Sequence, residues 1–173
     1  FGLILFLVEA WGWSVLKAGF GVAPGAATAA LLAPRFGALA GKIGQRPLIA
    51  TGGLLFAASG LYRLAFLGTE VNYVVDFAIP LAFSAVAVAL IFPQATSAAA
   101  QALPADRIGV GGATTQAIRQ FGGSMGVAIT IAFLSKDALR NDFVAGFDHI
   151  WIVVVVGGVI TTLFSLLLQR KAR

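Results

Sequence analysis

One guanidinium dominates the chemistry open to this sequence. Arg119 lies deep in a long run of small and apolar residues, with Gln116 three positions before it and another amide, Gln94, in the preceding apolar run. Counted from Arg107 at ~1.5 Å per residue, Arg119 stands about 18 Å along a helix, near the middle of a membrane span. A charge at that depth costs at least ~2.5–3.5 kcal/mol, so it must face a polar partner or a wet cavity. Arg119, Gln116 and Gln94 are therefore expected to line a pathway, the cation holding charge and the amides supplying hydrogen bonds. The competing expectation is a structural arginine, paired with backbone carbonyls or with an acid outside this sequence. Arg63, nearer a helix end, is expected to snorkel to the interface.

Other chemistry fares worse. Residues 122–126, GGSMG, fit the G-x-S-x-G pattern of a nucleophile elbow, and His149 is the one histidine that could serve Ser124 as base. An elbow needs a strand-to-helix turn, whereas Ser124 lies within a continuous helical run. His149 opens the next run roughly 15 Å away along the helix axis, beyond hydrogen-bond reach. With one histidine and no cysteine, neither a zinc cluster nor a thiol nucleophile can be assembled. Gly41-Lys42 is followed by Ile43 and its glycine spacing is too short for a phosphate loop. No catalytic residue, metal or cofactor is expected. Glu9 and Asp76, the acids that could bind and release a proton within a membrane, stand near helix ends and read better as interfacial residues.

The elements that must position these residues are set by composition. The 173 residues are 59% hydrophobic and 11% charged, with a mean hydropathy of +0.93. Soluble domains are nearer 45–50% apolar and about 25% charged, so this chain is expected to take a lipid bilayer as its solvent. Soluble enzymes, nucleic-acid binders and disordered tails are set aside. Five apolar stretches of about the length that spans a bilayer, 17–34, 47–67, 73–98, 108–134 and 149–168, follow a partial one at 1–10. Backbone groups in lipid must bond within the segment, and no period-two alternation marks barrel strands, so the expected fold is an all-α polytopic bundle without a soluble domain. Phe1 begins the chain at full hydrophobicity with no signal-peptide pattern, which leads to the expectation of a longer protein whose first helix here is cut short.

Charge sets the expected orientation. Arg35, Lys42 and Arg46 follow the second stretch, Arg107 the fourth, and Arg170, Lys171 and Arg173 the last. The opposite links carry Glu9, Glu70, Asp76, Asp137, Asp142 and Asp148, offset by Lys17, Lys136 and Arg140. Excess Lys and Arg mark cytoplasmic links, so the 35–46 loop and the C-terminus are expected in the cytoplasm of a multi-pass cell-membrane protein. The same topology accounts for the formal charge of +5 without a nucleic-acid partner.

Small residues are patterned too. Gly109, Gly112, Gln116, Arg119, Gly123, Gly126 and Thr130 recur at spacings of three and four and share one helical stripe, while Ile118, Phe121, Val127, Ile129 and Ile131 fill the other face. Gly109, Gly112, Gly122, Gly123 and Gly126 are expected to let a neighbouring helix approach closely. Gly158, Thr161 and Ser165 form a weaker version in the last stretch, and Pro24, Pro34, Pro80 and Pro93 are expected to kink their helices.

The stretch 37–47, GALAGKIGQRP, places Gly37, Lys42, Gly44 and Arg46 at fixed offsets in a short basic turn. It resembles the second copy of the loop motif of major facilitator superfamily transporters, G-x-x-x-D-R/K-x-G-x-R/K, with Gly41 standing where the family usually has Asp. That acid takes part in the family's cytoplasmic gating network, so the resemblance here implies the tight turn rather than the gate. Residues 91–94, IFPQ, and 107–128, RIGVGGATTQAIRQFGGSMGVA, are similar to the fourteen-helix drug:proton antiporter branch of that superfamily. The likeness extends over nearly the whole chain and implies its C-terminal six-helix bundle.

The resemblance implies part of a secondary transporter exporting small amphiphilic compounds or drugs in exchange for protons. Its partners would be the bilayer, an N-terminal transporter half outside this chain, a small-molecule substrate and the proton gradient. Two alternatives stand beside it: a non-transporting membrane fragment or assembly subunit, and a major facilitator transporter for another substrate class.

Overall fold

Six α-helices account for most of the chain in the computed structural model, which describes residues 1–168 apart from 69, 102 and 139–142, with the backbone alone at 105, 135–138 and 143–145. They are α1 (Gly2–Glu9), α2 (Val15–Ile43), α3 (Gln45–Phe66), α4 (Ile79–Gln101), α5 (Ile108–Ala138) and α6 (Phe143–Ser165). No strand occurs among the described residues, and α2 to α6 are each long and apolar enough to cross a membrane. The fold class is all-α. Arg140, Asp142 and the basic tail lie outside the described residues, as do the side chains of Lys136 and Asp137.

Surface and core agree with an apolar solvent. Phe20, Leu31, Ile118 and Phe121 are 67–73% exposed, positions that lipid covers at no cost and water does not. The tightest packing lies inside, around α3. This helix runs antiparallel to α4 and α6 and makes its most extensive contacts with them. Gly53, Ala57 and Gly60 meet Trp151, Val155, Gly158 and Thr162 of α6 so closely that a Cβ on Gly158 would stand 2.5 Å from the Ala57 amide nitrogen and 2.6 Å from the Gly53 carbonyl. The Thr162 hydroxyl is shared between its own helix, at the Gly158 carbonyl (2.9 Å), and α3, at the Ala50 carbonyl (3.3 Å).

Three of the helical stretches differ from expectation at their ends. The region 35–46 is not a loop: α2 continues through Pro34 to Ile43, and Gly44 alone joins it to α3. Proline loses one backbone bond without stopping a helix whose other bonds hold. Only Gly44 breaks the ladder, at φ 87° and ψ 169°, a conformation essentially confined to glycine. Of the motif residues, Gly37 and Lys42 are helical, and Arg46 sits in the first turn of α3. The second difference is at α4, which is entered through a π-helical turn, Tyr73–Ala78. The amide of Ile79 still bonds five residues back, to Val74. Pro80 has no N–H to continue that register, and the α pattern takes over there. At the far end, α6 begins at Phe143 and its α-helical ladder ends at Ser165, several residues ahead of the expected 149–168 at both ends.

Candidate functional site

The end of the bundle that holds the α1–α2 and α3–α4 links is closed by aromatic rings. Trp11 packs on Phe6, Trp13 and Phe77, Tyr73 stacks on Trp13 and Phe77, and Phe6 meets Phe147 and Trp151, with ring centroids 5.0–6.3 Å apart. Two polar tips fasten this cluster to backbone. The Trp11 indole donates to the Gly68 carbonyl at 3.1 Å and the Tyr73 hydroxyl to the Gly21 carbonyl at 2.7 Å. Buried ring N–H and O–H groups need such partners.

Directly beneath lies Arg63, and here the snorkelling expectation is corrected. Arg63 is buried, 2% exposed, between α3, α4 and α6. It donates to the Ser59 carbonyl at 3.1 Å and the Ser84 hydroxyl at 3.0 Å, and its guanidinium carbon stands 5.2 Å from the Trp151 ring centroid. Its Nε has no acceptor, and no carboxylate among the described residues pairs with it. The residue is near the helix end, as counting implied, but it points at the neighbouring helices. Its stripe carried the signal: Ser59 and Gly60 precede it at four and three residues, on the same face as the crossing glycine Gly53.

Arg119 has the opposite environment. It is exposed on α5, donates to the Thr96 hydroxyl of α4 at 3.0 Å and lies 5.0 Å from the Phe92 ring centroid. Its other N–H groups have no acceptor among the described residues. Gln116 is exposed one turn away on the same stripe. Gln94 does not join them. Two residues from Thr96, it points to the other side of α4, where it is 2% exposed with its amide nitrogen unpartnered. It continues the Ala87, Leu90 and Ile91 row that packs on Gly52 of α3. The expected trio is thus a pair on α5 and a separate buried amide.

The glycine stripe also departs from expectation. A Cβ built on Gly109, Gly112, Gly122, Gly123 or Gly126 would meet nothing within 4 Å. The close approach occurs at α3–α6 instead, because no described helix of this chain lies opposite the α5 stripe. Only its far end is covered: Thr130 and Leu134 are buried, Thr130 beside Gly2 of α1. From Gln120, the residue after Arg119, a shallow groove of about 500 Å³ runs along α5, lined further by Gly123, Ser124, Val127, Ala128 and Ile131. Ser124 donates within its helix to the Gln120 carbonyl at 3.1 Å, while the His149 ring stacks on Phe133 with centroids 5.1 Å apart. Ser124 and Phe133 are nine residues apart, about 13.5 Å of helix rise, so the structure does not bring serine and histidine together.

No protein-family model matches this sequence, and no curated protein matches it.

Proposed function

We propose that this chain is one bundle of a secondary active transporter of the major facilitator type, forming one wall of a path for small amphiphilic compounds that are exported in exchange for protons. The observation supporting this reading is the uncovered face of α5. A guanidinium, two amides and five glycines lie open on a helix long and apolar enough to span a bilayer. Lipid is a poor neighbour for them, since intramembrane charges face protein or a water-filled cavity. A second bundle opposite, with a wet path between, satisfies both the charge and the glycines. In this reading the basic α2–α3 junction lies on the cytoplasmic side and the aromatic cluster closes the outer side.

The same open face supports one other arrangement, an assembly subunit whose α5 packs on a separate membrane protein. The size of the native polypeptide separates the two. An antibody against residues 169–173 is expected to detect a membrane band near roughly 50 kDa, the size of about fourteen spans with their links. A band at 17.8 kDa that co-purifies with another membrane protein would replace the transporter reading by the subunit reading.

A further inference from the structure

We infer that the α5 face recognises an anionic amphiphile: a carboxylate or phosphate head at Arg119, Gln116 and Gln120, with an apolar body along Val127 and Ala128. This rests on the reading of α5 as the wall of a substrate path. Three observations carry the charge assignment. Arg119 is exposed, spends one N–H on Thr96 and leaves the others without an acceptor among the described residues, donors with which a guanidinium can take an oxyanion through paired bonds. Gln116 and Gln120, one turn before it and one residue after it, are exposed and bond to nothing through their side chains among the described residues. Among the described side chains no carboxylate stands on this face. The acids whose side chains are described are Glu9, Glu70, Asp76, Asp106 and Asp148, all at or near helix ends, and Asp137 is placed by its backbone in the last turn of α5.

The shape specifies the rest of the ligand. From Gln120 the groove runs over Gly123 and Ser124 to Val127, Ala128 and Ile131, on the order of 16 Å of helix rise. Its polar end is Gln120, the residue after Arg119, and its apolar end at Ile131 is remote from it; Arg119 itself stands beside the groove and does not line it. Gly123 has no side chain to block the way, so a ligand can lie against the helix backbone. A cationic amphiphile finds no counter-ion here and meets Arg119 as a like charge. Phe92 and Thr96 hold the guanidinium at the side, through the ring face and the hydroxyl, which keeps it from folding back along α5.

The test uses the native polypeptide, purified from its own membranes into nanodiscs of neutral lipid. Two probes of equal length are titrated by fluorescence, dansyl-undecanoate and a dansyl-undecyl trimethylammonium salt. The carboxylate is expected to bind, with its affinity falling at least about tenfold in Arg119→Gln and recovering partly in Arg119→Lys. The ammonium salt is expected to bind no better to wild type than to Arg119→Gln. Repeating the titration with phosphatidylglycerol in the disc identifies the source of the anion. Displacement of the probe assigns the groove to a lipid head and persistence to a soluble substrate, and both sustain an anionic site. Tighter binding of the ammonium salt, or carboxylate binding indifferent to Arg119→Gln, overturns the inference, as does binding of neither probe. Transport in vesicles is scored separately: ammonium export without Arg119 dependence would sink the anion assignment and leave the transporter standing. Arg119-dependent binding without any transport would do the reverse.

Discussion

The α3–α6 crossing offers the sharpest test of how this bundle is held together, through Gly158→Ala. The added Cβ would stand 2.5 Å from the Ala57 nitrogen, 2.6 Å from the Gly53 oxygen and 2.9 Å from the Ala57 Cα, where ordinary contact begins at 3.4 Å. All three are backbone atoms, so no rotamer change relieves the overlap and the helices must part by about 0.9 Å. Overpacking of this kind costs about 1–3 kcal/mol. The value belongs at the upper end because a gap of ~1 Å also forfeits up to about half of the dispersion attraction along the seam. The Thr162 bond to Ala50, already 3.3 Å long, would be lost as well, worth about 0.6 kcal/mol in a membrane interior. The expected loss is about 3 kcal/mol. Unfolding in mixed micelles with rising dodecyl sulfate, followed by tryptophan emission, reads it directly, since Trp151 lies in the same seam. Gly126→Ala, in the 173-residue chain alone, is the control: nothing in this chain lies within 4 Å of its Cβ, so the better helix propensity of alanine should leave stability unchanged or raised by up to ~1 kcal/mol. If Gly158→Ala were neutral while Gly126→Ala was costly, the close crossing would lie on α5 and the packing described here would be wrong.

Three further predictions use the same assay. Arg63→Met should stay within about 1 kcal/mol of wild type or exceed it, because a buried cation without a counter-ion returns little net stability. Arg63→Ala should lose about 3 kcal/mol to the cavity it leaves, and a comparable loss in the methionine variant would refute the argument. Tyr73→Phe removes the 2.7 Å bond to the Gly21 carbonyl and should cost about 1 kcal/mol, with an unchanged midpoint counting against the tethered aromatic seal. Gly44→Ala forces a Cβ into the backbone at φ 87° and ψ 169° and should cost about 1–3 kcal/mol, whereas Gly37→Ala, within α2, should cost nothing measurable.

How far the fold was legible follows from which physical variable each signal reports. Apolar runs of bilayer length placed the five long helices in order, after a shorter first one. Helix ends were less accessible, because a basic, glycine-containing stretch such as 35–46 has the composition of a loop whether or not its backbone remains helical. Position along a helix also says nothing about azimuth. Arg63 was correctly placed near an end yet wrongly turned toward the interface, although Ser59, Gly60 and Gly53 on its face pointed inward. Gln94 and Thr96 make the same point from the other direction, two residues apart and facing opposite sides of α4. The glycines of α5 signal close approach by something without saying what, and in this chain the crossing fell to Gly53 and Gly158.

Arg63 and Arg119 mark two differently held parts of the bundle. Arg63 sets its two terminal nitrogens on a carbonyl and a hydroxyl and its guanidinium near a ring, all within the α3–α4–α6 core and under an aromatic seal tied to backbone at Gly21 and Gly68. Arg119 is anchored at one side only, on a helix held mainly through Thr130, Leu134 and its contacts with α6. Local stability follows buried contact, and regions that bind ligands are drawn from the weakly held end of that range. The one-sided guanidinium, the free amides and the open glycines all lie on a helix that is, with α2, among the two least buried of the long helices. If that face were only a packing surface, its polar groups would be matched by polar groups on a protein partner, and Arg119→Gln would weaken assembly. If it is a path wall, the same change leaves assembly intact and alters what binds.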